Sequence, residues 1–148
     1  MANHSRKQKM SSKIELGFQK QSFMNTLGAR LGKFEFGKCE IIVPFQKKLT
    51  QQHGFFHGGL VATIADNAAG FAAYSVMADY KQPLTIEFKI SLLAPSDGER
   101  LVARAEVIKA GRSIFHTHSN VFVIKNNQES LTATALATIK STSSVSEI

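Results

Sequence analysis

The longest apolar stretch of the chain runs from His57 to Met77 (HGGLVATIADNAAGFAAYSVM). Within it Leu60, Val61, Ile64, Ala68, Phe71 and Ala72 recur at intervals of three and four, the period of a helix. Ala and Gly fill most of the other faces, so the predicted helix is apolar nearly all round and belongs inside a fold. Asp66 and Asn67 interrupt the run, which argues for a buried helix rather than a membrane span.

Strand-like segments flank this helix. Residues 31–36 and 38–44 (KCEIIVP) predict a hairpin around Gly37, followed by a loop over 45–56. Four further strands are predicted at 84–93, 100–109, 113–124 and 129–140. Turn signals at Pro95-Ser-Asp-Gly98, Ala110-Gly-Arg112 and Asn126-Asn-Gln128 separate them. Leu101, Ala103, Ala105 and Val107 alternate with Arg100, Arg104 and Glu106, the pattern of a half-buried strand. Near the N-terminus, Phe23, Met24 and Leu27 predict a short amphipathic helix over Leu16–Leu27. The order is β-β-α-β-β-β-β around one apolar helix, which an antiparallel sheet curled about that helix satisfies. The fold class is therefore α+β with a single core.

The 148 residues suit one domain, with eleven Phe and no Trp pointing to a Phe-rich interior. The organisation expected is a flexible basic tail over 1–13, one domain over 14–140 and a flexible C-terminal tail over 141–148. Net charge is +7, but Arg6, Lys7, Lys9 and Lys13 account for four of those charges with no acid among them, so the domain itself carries little excess. A solvated tail explains that charge without a nucleic-acid partner; binding through the tail would show a steep salt dependence lost on its removal. Cys39 is the single cysteine and has no internal disulfide partner. With no secretory or transit signal apparent, the expected location is the cytoplasm.

Two features carry chemistry. His57-Gly58-Gly59 opens the buried helix, where the first backbone N–H groups lack intrahelical acceptors and bear partial positive charge. Glycine there lets a ligand oxygen approach, and such donors stabilise oxyanions. Asp66 is the second feature, since a carboxylate on an apolar helix is costly unless paired, exposed or functional. Gly58 and Asp66 are eight residues apart, about 12 Å along the axis, whereas a reacting atom must lie near both. Two antiparallel helices related by a twofold axis meet that condition, with Gly58 of one chain facing Asp66 of the other. Any joint role of the two residues is therefore an inter-subunit role.

The run Gly54-Phe-Phe-His57-Gly58-Gly59, then Asp66, then Leu84-Thr-Ile-Glu-Phe-Lys-Ile, Leu93-Ala-Pro95 and Gly111-Arg112, resembles the PaaI-type hotdog-fold acyl-CoA thioesterases. The resemblance extends from about Leu16 to Lys140. It implies hydrolysis of an acyl-CoA, medium- or long-chain or aryl, by a homodimer that assembles as a dimer-of-dimers tetramer. Coenzyme A is part of the substrate, and no separate cofactor or metal is implied. The Gly58 N–H takes the place of the family's oxyanion donor, and Asp66 that of its catalytic carboxylate, acting as general base or as nucleophile. Thr85 stands where relatives carry a hydroxyl that positions water. Gln51 stands near the place of a family Asn, an amide longer by one methylene. His57 fits the motif as a residue that orients the loop. Phe55 and Phe56 adjoin the turn that holds Gly59, and the pair either packs in the interior or lines the acyl entrance with it; Arg112 is a contact for CoA phosphates.

Other constellations lead elsewhere. His116 with His118, and His53 with His57, have metal-like spacings without a third ligand. Cys39 has no activating base near it in sequence. Alternatives to hydrolysis are an acyl-CoA sensor of the same fold, which retention of Asp66 disfavours, and a hydratase, whose His–carboxylate pair is not found.

Overall fold

The computed structural model describes residues 2–143. The predicted helix forms as α3 (Gly58–Val76), and the strands as β1 (Arg30–Glu35), β2 (Lys38–Pro44), β3 (Gln82–Leu92), β4 (Arg100–Ala110), β5 (Ile114–Lys125) and β6 (Gln128–Thr142). They make one antiparallel sheet in the order β1-β2-β4-β5-β6-β3. The hairpin turns follow the sequence signals. Gly37 (φ 77°) closes β1–β2, and Asn126 and Asn127 (φ 49° and 60°) close β5–β6 with the left-handed pair that a tight hairpin requires.

Helix α3 packs against all six strands. Its Ala65, Ala68, Ala69 and Ala72 share one buried cluster with Ala103, Ala105, Ala133, Ala135 and Ala137 of the inner sheet face. Small residues on both sides let helix and sheet approach closely, while Ile41, Val43, Ile64, Leu101 and Ile139 fill the remaining volume. The outer face carries the alternate residues of the strands. There Arg104 bridges Glu40 (2.8 Å) and Glu129 (2.7 Å) and lies over the Phe122 ring. Those carboxylates raise the guanidinium pKa further, in keeping with the predicted polar face of β4.

The N-terminal region departs from expectation in two ways. Residues 2–13, expected to be a flexible tail, belong to helix α1 (Ala2–Gln19). Met10, Ile14 and Phe18, four residues apart, are all buried and seat α1 on α3, with Phe18 5.8 Å from Phe71. A Cβ on Gly17 would come within 3.3 Å of Phe71 and Tyr74, so glycine is what allows this approach. Lys13 reaches across to donate to the carbonyl of Met77 at the C-terminus of α3 (2.9 Å), with its ammonium over Tyr74 and 3.9 Å from Asp79. Burial lowers the Lys13 pKa, partly opposed by Asp79. The single helix expected over Leu16–Leu27 is instead the end of α1 and a separate α2 (Ser22–Leu27), broken at Lys20–Gln21. Gln21 is extended there and its side chain accepts from Asn67 of α3 (2.8 Å).

At the other terminus, Ser141 and Thr142 are buried at the end of β6 rather than part of a tail, tied by the Ser141 N–H to Ser113 (2.8 Å). Residues 144–148 of the expected tail lie outside the described residues. Among the described residues no helix is long and apolar enough to cross a membrane. Truncating Met10 to Ala should lower unfolding stability by about 2 kcal/mol or more, read by urea titration. A free tail would show no change.

Candidate active site

The positions of α3 that the sheet and α1 leave uncovered fall at helical spacing. Gly59 is exposed, and Ala62, Thr63, Asp66, Asn67 and Gly70 are half-buried. Among the described residues this strip is the most open side of the helix, touched through the bonds that Asp66 and Asn67 make to Thr85 and Gln21. Its single charged member is Asp66.

Asp66 accepts a hydrogen bond from the Thr85 hydroxyl on β3 (2.8 Å). Burial pushes the Asp66 carboxyl above the usual carboxylate range, and the Thr85 bond opposes that shift. Thr85 faces the helix because of a β-bulge. The register of β3 on β6 shifts between Thr85 and Glu87, leaving Ile86 as the extra residue. Phe88 and Ile90 pack against the core, and in a regular strand Thr85, an odd number of residues away, would point to the opposite face. The bulge reverses that phase, so hydroxyl and apolar residues share one face.

At the other end of the strip, His57 caps α3. Its Nδ1 accepts from the Gly59 N–H (2.8 Å), which places the ring proton on Nε2. The His57 carbonyl accepts from Leu60 (3.0 Å) and Val61 (3.2 Å). The Gly58 N–H therefore remains without an acceptor among the described residues. A Cβ on Gly59 would lie 3.0 Å from the His57 ring, and one on Gly58 would lie 3.0 Å from Leu92, so glycine preserves both the cap and access to the donor.

The other candidate residues are placed as follows. The Gln51 side-chain oxygen accepts from the His53 N–H inside the 51–55 turn, so that amide is engaged locally. Phe55 is half-buried beside the turn. Of the two readings of Phe56, packing and the acyl entrance, the structure has the first: it is a core residue, 3% exposed and edge-on to Phe45 at 5.5 Å. Phe56 also pairs with Thr50 in an isolated β-bridge. Arg112 is exposed in the β4–β5 turn, at the end of the sheet where Phe115, Ile139 and Thr85 align across β5, β6 and β3.

Cys39 is buried, and burial together with Glu40 pushes its thiol up to about 12, the opposite of an activated nucleophile. His118 and His116 lie on the outer face, near Thr134 (2.9 Å) and Thr138 (3.5 Å) respectively. Among the described residues no group of three His, Cys, Asp or Glu side chains converges as metal ligands. Two residues of the strip that the sequence reading did not single out are Asn67, whose Oδ1 is buried without a donor, and Gly70.

The sequence model of the thioesterase superfamily matches residues 53–130, more than half of the chain. The chain belongs to the thioesterase superfamily. A solved thioesterase family protein from Silicibacter pomeroyi is 39% identical, covers 89% of this chain and 97% of its own, and superposes with a TM-score of 0.88. The PaaI protein of E. coli, 17% identical over 90% of this chain and 94% of its own, shows the same hotdog fold at a TM-score of 0.80. Acyl-coenzyme A thioesterase THEM4 of Rattus norvegicus is 34% identical over 124 residues, 71% of this chain and 54% of its own length. The chain likewise spans 63% of the length of a Halobacterium salinarum relative. This chain thus has Asp66, bonded to Thr85, and the N-terminus of α3 along one open strip. A single thioesterase chain keeps them eight helical residues, about 12 Å, apart.

The raised Asp66 carboxyl has a stability consequence with a definite sign. Ionisation is disfavoured in the folded state, so the penalty is absent below the ordinary value near 3.8, grows up to the raised value and is complete above it. Asp66→Asn should therefore melt above the wild type at pH 8, with the difference shrinking below pH about 4. A mutant less stable than wild type at pH 8 contradicts this account.

Proposed function

We propose that the chain is an acyl-CoA thioesterase whose site is completed by two subunits. The observation that carries this reading is Asp66: a half-buried carboxylate with a raised pKa, held by Thr85 as the single charge on a largely apolar helix, on the same open strip as an N-terminal donor it cannot reach alone. The free edge of β3 and the uncovered strip of α3 are both available to a second copy. An antiparallel arrangement about a twofold axis brings Gly58 of one subunit to Asp66 of the other. The resulting dimer is in turn the unit of a tetramer.

The thioester carbonyl oxygen binds at the Gly58 N–H, which carries the partial positive charge of the helix terminus. The carboxylate of Asp66, oriented through Oδ1 by Thr85, takes a proton from water as the water oxygen attacks the carbonyl carbon. Negative charge collects on the carbonyl oxygen. Collapse breaks the C–S bond, and the proton on Asp66 passes to the departing sulfur, giving free acid and coenzyme A. His57 holds the first turn in place by capping and does not carry the proton. Arg112, at the Thr85 end of the sheet, meets CoA phosphates, and no further cofactor takes part.

Relatives named for CoA thioester hydrolysis support the substrate class. They include the THEM4 thioesterase and a 1,4-dihydroxy-2-naphthoyl-CoA hydrolase of Listeria monocytogenes, the latter 27% identical over 60% of this chain.

Free-thiol release from short, medium, long and aryl acyl-CoAs should show turnover on at least one class. Asp66→Asn should lower it by about a hundredfold or more. Binding without turnover across the panel would replace the enzyme with an acyl-CoA sensor. The pH profile provides a separate check. Activity requires ionised Asp66, so it rises with pH through a value above the ordinary Asp range. Thr85→Val removes the bond that opposes the shift and should move this acid limb to higher pH as kcat falls. An unmoved limb would separate Thr85 from Asp66 in the reaction.

A further inference from the structure

We infer that Gly70 determines acyl specificity: its missing side chain leaves the space into which the apolar part of the acyl group passes beyond Asp66. The inference rests on the thioesterase reading and assigns that site its apolar pocket.

Helical glycines in this chain have local reasons, with one exception. A Cβ on Gly17 would press on Phe71 and Tyr74, one on Gly58 on Leu92, and one on Gly59 on the His57 ring. A Cβ on Gly70 would meet nothing within 4 Å, and the backbone there is not left-handed. Gly70 is nonetheless half-buried and deep inside α3, where glycine is the least favourable residue after proline. Nothing among the described residues requires it.

The position of Gly70 indicates what does. It lies four residues after Asp66, on the same face and one turn away, about 6 Å along the axis. The antiparallel pairing that sets residue 58 against residue 66 carries residue 70 past the first turn of the partner's helix, which begins at residue 58. The partner's α3 has ended there, so no helix backbone comes close enough to need glycine at position 70. What continues past the first turn of a helix paired in this way is the non-helical segment that leads into it, in which Phe55 is half-buried. A hydrolysed thioester has its carbonyl carbon beside Asp66, so its acyl group continues into this gap. The occupant that fits is an apolar acyl group long or broad enough to extend a full helical turn past the carbonyl, aliphatic or aryl.

The test compares kcat/KM for octanoyl-CoA and phenylacetyl-CoA with that for acetyl-CoA in wild type, Gly70→Ala and Gly70→Leu. In Gly70→Leu the octanoyl-to-acetyl ratio should fall by about tenfold or more, the loss of a few buried methylenes, and in Gly70→Ala by less. Both variants should melt at or above the wild-type temperature and sediment as the wild type does. An unchanged ratio overturns the inference, as does a change of oligomeric state, which would assign Gly70 to a subunit contact. Absence of wild-type turnover on every substrate is failure of the thioesterase reading instead. The pocket is then read by calorimetry with hydrolysis-resistant CoA thioethers bearing acetonyl and 2-oxooctyl groups. A preference for the longer analogue in wild type, lost in Gly70→Leu, sustains the pocket; equal affinities remove it.

Discussion

Helix α3 is held against the sheet by alanines on both sides, Ala65, Ala68, Ala69 and Ala72 meeting Ala103, Ala105, Ala133, Ala135 and Ala137, and the remaining architecture adjusts to that contact. Interdigitation of short side chains brings two backbones close over a long overlap. The sheet must curl to keep all six strands in reach of one helix. Curling covers most of the helix circumference, α1 covers a further sector through Phe18 and Phe71, and one strip is left. Between the first turn and the last residue of α3, the candidate site lies on the one strip that stays partly exposed.

A half-buried carboxylate on such a helix is unfavourable for folding, and the structure offsets it only in part. Thr85 satisfies one oxygen of Asp66, and the strip leaves the carboxylate partly open to whatever approaches. This combination suits a group that must exist in both protonation states during a reaction cycle. At the helix start the same economy of donors holds. His57 absorbs the Gly59 N–H, and its carbonyl absorbs those of Leu60 and Val61, so the first turn presents the Gly58 N–H alone.

Periodicity made α3 and the six strands legible, because their patterns persist over enough residues to exceed local noise. It missed α1 for a physical reason. Met10, Ile14 and Phe18 form a one-residue-wide stripe within a polar run, with Leu16 on the exposed side, and only the docking surface on α3 makes that stripe sufficient. The separation of Asp66 from Gly58 along α3 followed from helical spacing, whereas the expectations for Thr85 and Arg112 came from family resemblance. Alternation alone groups Leu84, Ile86, Phe88 and Ile90 and turns Thr85 outward; the bulge that corrects this has no signature in composition. Phe55 and Phe56 look equivalent in sequence, yet only Phe56, which also pairs with Thr50, is buried in the core.

The bulge at Ile86 also bears on what the free edge of β3 can accept. Backbone donors and acceptors along that edge keep one phase up to Thr85 and another from Glu87 onward. A regular strand laid against it matches one half and conflicts with the other, which discourages indiscriminate pairing and the growth of extended sheets. A second copy carries the same interruption, and the two edges match throughout when their interruptions are placed symmetrically. The irregularity thus narrows the alignments open to any strand that approaches this edge.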